Sequence, residues 1–155
     1  TSKVAGTEKG ITEPQTTFSP CFGAPFLPLH PSRYAKMLGE RIEKHGANVY
    51  LVNTGWTAGP YGEGHRMELP YTRAMITAAL SGELAKADFQ PHPVFQVEVP
   101  KSCPEVPSEI LDPKNTWKDK DAYDRSANEL AKRFAENAEG FSDVAQEILT
   151  AGPRQ

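Results

Sequence analysis

The residues best placed to do chemistry lie near the end of a glycine-rich segment, residues 55–72, where Arg66 and Thr72 are six positions apart. An arginine guanidinium can lie flat on a purine ring, a contact worth about 1–3 kcal/mol when it is desolvated. The hydroxyl of Thr72 can bond to a base nitrogen or to a ribose. The pair is therefore chemically able to contact a purine nucleotide. From the residues alone, a solvated arginine and a capping threonine are the favoured interpretation, because these are common surface roles for these residue types.

The same segment carries no phosphate-binding motif. Gly59 leads to Gly62, Gly64 and His65, which does not fit G-x-x-x-x-G-K-[ST], and Met67 takes the place of the third glycine in G-x-G-x-x-G. The glycines by themselves predict a tight loop. Groups that hold the phosphates are therefore expected outside this segment.

A helix and a strand are predicted ahead of the segment. Pro31 is expected at the first helical position and Gly46 just past the end, where glycine tolerates the left-handed conformation. The helical spacing of five residues predicts one buried stripe, formed by Tyr34, Met37, Leu38, Arg41 and Ile42. The short apolar run at residues 49–52 predicts a strand that is buried on both faces.

Residues 56–69 are predicted to form a loop, after which Pro70 opens a second helix that ends at Gly82. Its inward residues are expected to be Tyr71, Met75, Ala78 and Ala79. Alternation over residues 94–99 predicts a half-buried strand, and the prolines of residues 100–115 predict irregular chain on the surface. A third helix is expected to bury Tyr123, Ala127, Leu130, Ala131 and Phe134. Ser142 is predicted to cap a short last helix.

Several kinds of site are not indicated. The four histidines, His30, His45, His65 and His92, do not have the spacing of zinc ligands. No Ser/His/Asp or Cys/His constellation is evident, and Cys21 and Cys103 are predicted to be free thiols. A net charge of −3 with interspersed signs gives no basic surface for nucleic acid. No apolar run approaches the roughly 20 residues that span a bilayer.

The first 22 residues are too polar, and too often interrupted by glycine and proline, to build a core. Gly6 and Gly10 allow backbone angles that other residues avoid, and Pro14 and Pro20 stop regular structure. A segment of this kind is typical of a mobile loop beside a site, or of a frayed terminus.

Several motifs, in order along the chain, resemble the ATP-dependent phosphoenolpyruvate carboxykinases. They are AGTEKGITEP and TFSPCFGAPFLPLHP near the start, YLVNTGW, GPYGEGHRMELPYTRAMITAAL and ILDPKNTW in the middle, and AGPR at residues 151–154. The resemblance covers essentially the whole chain. It implies an α/β fold: residues 1–155 would be the C-terminal part of a mixed-sheet nucleotide-binding domain with long irregular loops and C-terminal helices.

The resemblance also implies site residues. Arg66, Met67 and Thr72 match the positions that hold the adenosine part of ATP, and residues 5–22 match a mobile lid loop, for which Gly6 and Gly10 are candidate hinges. Many family members carry lysine just before the arginine, where this chain has His65. A titratable ring there would make nucleotide affinity pH-dependent near neutrality.

For the full enzyme, the resemblance implies a cytoplasmic lyase of gluconeogenesis. It would decarboxylate oxaloacetate and use ATP to give phosphoenolpyruvate, ADP and carbon dioxide. The P-loop and the ligands of a divalent metal (Mg or Mn) are expected upstream, so no catalytic residue is expected here, and the segment alone should be inactive without the upstream part of the enzyme. The alternative hypothesis is a non-catalytic module that binds nucleotide or a protein partner.

Overall fold

A computed structural model of the chain describes residues 2–3, 9–18, 24–53, 55–141 and 143–154, with the backbone alone at residues 2, 3 and 24. The described residues form six α-helices and three small sheets, each a pair of antiparallel strands. The chain divides into two compact units, Thr1–Val49 with Gly140–Val144 and Tyr50–Glu139 with Ala145–Gln155. The predicted combination of helices and strands is confirmed, although the sheets are small.

The first unit contains one strand pair and one long helix. Strand β1 (Ser2–Lys3) pairs with β2 (Gln15–Thr16), and the turn before β2 includes Gly10 with a φ of 88°. Helix α1 spans Pro31–His45, and Gly46 follows it in the left-handed conformation, with φ 59° and ψ 36°. Both predicted ends of this helix are confirmed. Gly6, Cys21 and parts of the predicted lid lie outside the described residues.

The predicted buried stripe of α1 is wrong for this chain. No residue of the helix is buried, and Met37 and Leu38 are 52% and 62% exposed. Tyr34 and Ile42 are half-buried. The helix is amphipathic as predicted, but the described residues do not cover its apolar side.

The second unit has a core built on helix α2, which spans Leu69–Leu80. Ala78 is buried with Leu84, Cys103 and Val106, and partly buried side chains pack around them, among them Tyr71, Met75 and Ala79. These are inward residues predicted from the sequence. Gly82 follows the helix with a φ of 77°, in agreement with the predicted end.

Apart from a hairpin that precedes α2, the described residues of the second unit also form a strand pair and four more α-helices. Helix α5 buries Tyr123, Ala127 and Ala131, as predicted, whereas Leu130 is half-buried and Phe134 is 41% exposed, so the prediction is wrong for these two residues. None of the helices in the described residues is long and apolar enough to span a membrane. The elements are β5 (Phe89–Pro91), β6 (Glu98–Pro100), α3 (Ser108–Leu111), α4 (Pro113–Thr116), α5 (Lys120–Ala138) and α6 (Gln146–Thr150).

The strand predicted at residues 49–52 is not formed. These residues have no regular secondary structure, and Leu51 is 85% exposed, while Tyr50 packs against the core. A strand needs a partner for its backbone groups, and no other strand of the described residues pairs with this run. Its apolar sequence alone could not supply that partner.

Three further predictions are corrected. The strand expected at residues 94–99 begins only at Glu98, because a turn that includes Gln96 at a φ of 57° precedes it. Residues 100–115 are not only surface chain, since they contain α3 and α4 and place Cys103 and Val106 in the core. The last helix begins at Gln146 with Ala145 as its N-cap, and Ser142 lies outside the described residues.

The loop predicted at residues 56–69 contains a β-hairpin. Strand β3 (Trp56–Thr57) pairs with β4 (His65–Arg66), and the register places Trp56 opposite Arg66 and Thr57 opposite His65. The turn closes through hydrogen bonds from the amides of Glu63 and Gly64 to the carbonyl of Pro60, at 3.1 and 2.9 Å. The hairpin leads through Met67 directly into α2.

Gly64 leaves no room for a side chain. A Cβ atom there would clash with the carbonyl oxygen of Thr57 and would lie 2.6 Å from that of Gly59. Both neighbours are backbone atoms, which cannot swing aside as a flexible side chain can. The absence of a side chain at this position is therefore what lets the two strands of the hairpin approach.

A loop residue, His92, is held by hydrogen bonds in the neutral state. Its Nδ1 accepts hydrogen bonds from the amides of Val94 and Phe95, both at 3.2 Å, so its proton is on Nε2, which is 2.8 Å from Tyr123 Oη. Burial lowers the pKa of His92. Burial, and then neighbouring carboxylates, raise the pKa of Tyr123 to about 12, so the phenol keeps its proton.

Gly64→Ala is expected to lower the free energy of unfolding by about 1–3 kcal/mol, the usual cost of forcing extra volume into a close contact. Urea denaturation measures the change. The control is Gly39→Ala in α1, where the added methyl meets nothing within 4 Å; it should raise stability by about 0.5–1 kcal/mol because alanine favours a helix. Equal stability of Gly64→Ala and the unmodified protein would contradict the close approach.

Acid should weaken the fold through His92. Because its pKa is lower in the folded state, the unfolded chain binds this proton more readily. The contribution to stability is complete above the unfolded pKa of about 6.5 and is lost as the pH falls from there through the folded pKa. Urea denaturation between pH 7.5 and 5 should show a steeper loss for the unmodified protein than for His92→Asn, which cannot titrate. Parallel pH profiles would contradict this account.

Candidate functional site

The three residues predicted to contact a nucleotide lie on adjoining elements of the second unit. Arg66 ends strand β4, Met67 follows it, and Thr72 lies in the first turn of α2. The amide of Met67 donates a hydrogen bond to the carbonyl of Gly55, at 2.8 Å, which closes the base of the hairpin. The structure therefore connects the three residues through one short stretch of backbone.

Arg66 lies on the same face of the hairpin as an aromatic pair. Residues opposite each other in an antiparallel ladder point to the same face, so Arg66 shares its face with Trp56. The ring of Trp56 meets that of Tyr61 edge to face, with centroids 5.3 Å apart. Arg66 is exposed, and its guanidinium has no hydrogen-bond or ion-pair partner among the described residues. It is therefore available to a ligand.

Thr72 has a different environment from Arg66. It is one of the buried residues of α2, with 9% of its surface exposed. The N-cap of the helix is Glu68, so Thr72 is the fourth helical residue and is not the cap. The structure thus disagrees with the capping interpretation of Thr72. No hydrogen bond joins Thr72 to Arg66 within the described residues, so a ligand would have to contact the two separately.

The other face of the hairpin is tied to helix α4. Thr57 and His65 share that face, since successive residues of a strand alternate sides. Thr116 Oγ1 accepts a hydrogen bond from the amide of Ala58 at 3.2 Å and lies 3.5 Å from Thr57 Oγ1. Sequence analysis assigned no role to Thr116. An interaction across 58 residues leaves no local pattern from which it could be found.

The first unit brings together a histidine, a serine and an aspartate, which the sequence did not indicate. Ser32 Oγ donates to Asp143 Oδ2 at 2.5 Å, and His30 Nδ1 lies 2.8 Å from Ser32 Oγ. The hydrogen bond from Ser32 lowers the pKa of Asp143. In nucleophilic triads the histidine lies between the serine and the carboxylate. Here the serine is in the middle, and its proton is held by the aspartate, so the cluster joins α1 to Asp143 without a base for a nucleophile.

A shallow cleft of about 310 Å³ lies elsewhere in the second unit. None of the three predicted nucleotide contacts lines it. Its polar lining comes from Gln90, Lys101, Ser108, Glu109, Asp112 and Asn115. The lining combines cationic, anionic and amide groups, which together select no single class of ligand.

Metal-binding side chains do not converge in the part of the chain that the structure describes, since no three His, Cys, Asp or Glu residues there could share an ion. Cys103 is a buried free thiol, and burial raises its pKa. Neither observation adds a reactive group to the surroundings of Arg66.

Known proteins match nearly the whole chain. A family model described as phosphoenolpyruvate carboxykinase matches residues 1–109. A phosphoenolpyruvate carboxykinase (ATP) of Caldanaerobacter subterraneus subsp. tengcongensis is 62% identical over 154 residues, which is 99% of this chain and 30% of that protein. A phosphoenolpyruvate carboxykinase (ATP) 2 of Moorella thermoacetica is 64% identical over 99% of the chain and 29% of its own length. A phosphoenolpyruvate carboxykinase (ATP) of Thermus thermophilus is 59% identical over 99% of the chain and 29% of its own length.

The chain therefore spans about 30% of the length of the curated relatives that it matches. About 60% of the residues are identical in alignments that cover 99% of the chain, which confirms the resemblance indicated by the sequence motifs. The chain belongs to the ATP-dependent phosphoenolpyruvate carboxykinase family.

Proposed function

We propose that this chain is the C-terminal part of an enzyme that converts oxaloacetate and ATP to phosphoenolpyruvate, ADP and carbon dioxide. The observation that carries the proposal is the identity of about 60% to proteins named phosphoenolpyruvate carboxykinase (ATP), sustained over 99% of the chain. Because the chain covers 30% of such a relative, the activity belongs to the parent protein. The cytoplasm and gluconeogenesis are the expected setting.

In this proposal the chain binds the purine of ATP and leaves the bond making to other residues. The guanidinium of Arg66 would lie on one face of the base, since it is exposed and has no partner among the described residues. Half-buried Met67 would add a polarisable apolar contact. The hydroxyl of Thr72 would bond to a polar atom of the adenosine. Thr72 is well suited to this role because a buried helical residue has little freedom to move.

The contacts to the base would orient the nucleotide and exclude water from one side of it. Phosphoryl transfer also needs a phosphate cradle, positive charge and a bridging metal ion. A divalent metal would neutralise the developing charge on the phosphates, and we assign no ligand for it to the described residues of this chain. Residues in the rest of the parent protein would supply these groups.

The exposed apolar surface of the chain supports its place within a larger protein. Val49 is 63% and Leu51 85% exposed, although both belong to an apolar run typical of a buried strand. Met37 and Leu38 form a second exposed patch in the first unit. Apolar patches of this kind are usually covered by other protein. In the proposed parent, residues from the remaining part of the enzyme cover them.

The alternative is a non-catalytic module that binds nucleotide or protein. Such a module would use the same Arg66 but would not need residues that hold the phosphates. The names of the relatives favour the enzyme. The closing of residues 5–22 over ATP and oxaloacetate, with Gly6 and Gly10 as hinges, stays a prediction. Gly10 lies in a turn with a positive φ, and Gly6 lies outside the described residues.

Arg66→Ala in the parent enzyme should weaken ADP binding by about 5- to 150-fold, which corresponds to a lost stacking contact of about 1–3 kcal/mol. Thr72→Val should weaken it by about fivefold, through the loss of one hydrogen bond. Isothermal titration calorimetry measures both. Inorganic diphosphate has no purine, so its affinity should not change. Arg133→Ala on the exposed side of α5 is the matched control. Unchanged ADP binding in both site variants would exclude the proposed adenine contacts.

The isolated chain should show no carboxykinase activity and should bind a hydrophobic dye such as anilinonaphthalene sulfonate. Val49, Leu51 and Val52 are the expected dye site, because these three exposed side chains belong to one apolar run. Leu51→Ser should reduce dye fluorescence, whereas Ile76→Ser on the exposed side of α2 should reduce it less. Phosphoenolpyruvate formation by the chain alone would refute the proposal that the catalytic groups lie in the rest of the parent protein.

A further inference from the structure

We propose that Thr116 is a positioning residue for the nucleotide site, because its hydroxyl holds the turn of the β3–β4 hairpin from the face opposite Arg66. This inference rests on the proposed function of Arg66 and deepens it. Thr116 would not touch the nucleotide. Its role would be to keep the hairpin in the conformation that presents the guanidinium.

The Thr116 hydroxyl bonds to its own helix with its proton and to the hairpin with its oxygen. Its single proton goes to the carbonyl of Pro113, at 2.8 Å. Its oxygen can therefore only accept from the hairpin, and it does so from the amide of Ala58 at 3.2 Å. The hydroxyl of Thr57, 3.5 Å away, is a longer and weaker second donor.

The amide that Thr116 binds belongs to a residue in an unusual conformation. Ala58 has a φ of 63°, in the left-handed region that residues other than glycine seldom adopt. The hydrogen bond to Thr116 favours this conformation at the point where β3 turns. Without it, Ala58 can relax toward negative φ and redirect the chain that leads back to β4. The partner of Trp56 in that ladder is Arg66, so the guanidinium would move with the strand.

Thr116 itself is held on a well-anchored support. Asp112 caps α4 through the amide of Lys114, at 3.1 Å, and Lys120 Nζ donates to the carbonyls of Lys114 and Asn115, both at 2.7 Å. Lys114 also pairs with Asp124 of α5, at 2.6 Å. The end of α4 is thereby fixed to the start of the long helix. A hydrogen bond can position the hairpin only if its partner is itself held in place, and these contacts join α4 to the start of α5.

The test compares Thr116→Val with Thr116→Ser in the intact parent protein. Valine keeps the shape of threonine without its hydroxyl, whereas serine keeps the hydroxyl. Hydrogen exchange of the amides of residues 57–66, without nucleotide, should become about fivefold faster in Thr116→Val, and ADP should bind about three- to tenfold more weakly, as expected for the loss of one hydrogen bond. Thr116→Ser should stay close to the unmodified protein in both measurements.

The matched control is Thr150→Val in α6. The hydroxyl of Thr150 also donates to a carbonyl three residues earlier, that of Glu147, at 3.0 Å. A general loss of stability on replacing a threonine would appear in this variant as well. The proposal expects Thr150→Val to change neither hairpin exchange nor ADP affinity.

A double variant separates positioning from other effects. If Thr116 acts through Arg66, Thr116→Val should weaken ADP binding little further in an Arg66→Ala background. Independent, additive losses would overturn the proposal, as would unchanged exchange in Thr116→Val or unchanged ADP affinity in that variant. If Arg66→Ala alone leaves ADP binding intact, the proposed function fails and this inference fails with it. Hydrogen exchange needs no nucleotide. It then shows whether the hydrogen bond between Ala58 and Thr116 stabilises the hairpin, independently of nucleotide binding.

Discussion

The backbone of the β3–β4 hairpin closes on itself at Gly64, and the candidate site depends on that close approach. The carbonyl oxygens of Thr57 and Gly59 occupy the space that any side chain at residue 64 would need. With the strands this close, the ladder sets Arg66 opposite Trp56, and Met67 can bond back to Gly55. The direction in which the chain enters α2, and hence the position of Thr72, follows from this closure.

The two candidate binding residues, Arg66 and Thr72, are held in place to different degrees. Thr72 is buried on a helix that also carries Ala78 of the core, so its position is fixed by packing. Arg66 is exposed on a strand of two residues, and a sheet of that size has little stability of its own. The connection of the hairpin turn to Thr116 provides support that the short ladder lacks. A buried threonine and a supported arginine are compatible with the proposed contacts to a flat base.

Limited burial explains most of the differences between expected and observed structure. The core of the second unit is centred on residues of small or moderate size, Ala78, Leu84, Cys103 and Val106. Larger apolar residues such as Leu38 and Leu51 remain exposed. Their patterns correctly indicated an amphipathic helix and an apolar run. Burial was expected from the same patterns, but it requires surfaces that the described residues do not provide.

Local rules were enough to predict the long helices α1, α2 and α5 from the sequence, whereas the short helices α3 and α4 were not predicted. Proline and glycine placed the ends of α1, and apolar spacing identified the inward residues of α2 and α5, because these features depend on neighbours within a few positions. The motifs around Arg66, Met67 and Thr72 also identified the family, which the comparisons confirm. The roles of these three residues stay predictions. Only the tertiary structure revealed the hairpin, the close approach at Gly64 and the hydrogen bond between Ala58 and Thr116. Each depends on backbone atoms or on residues far apart in sequence, and such contacts form only once the chain has folded.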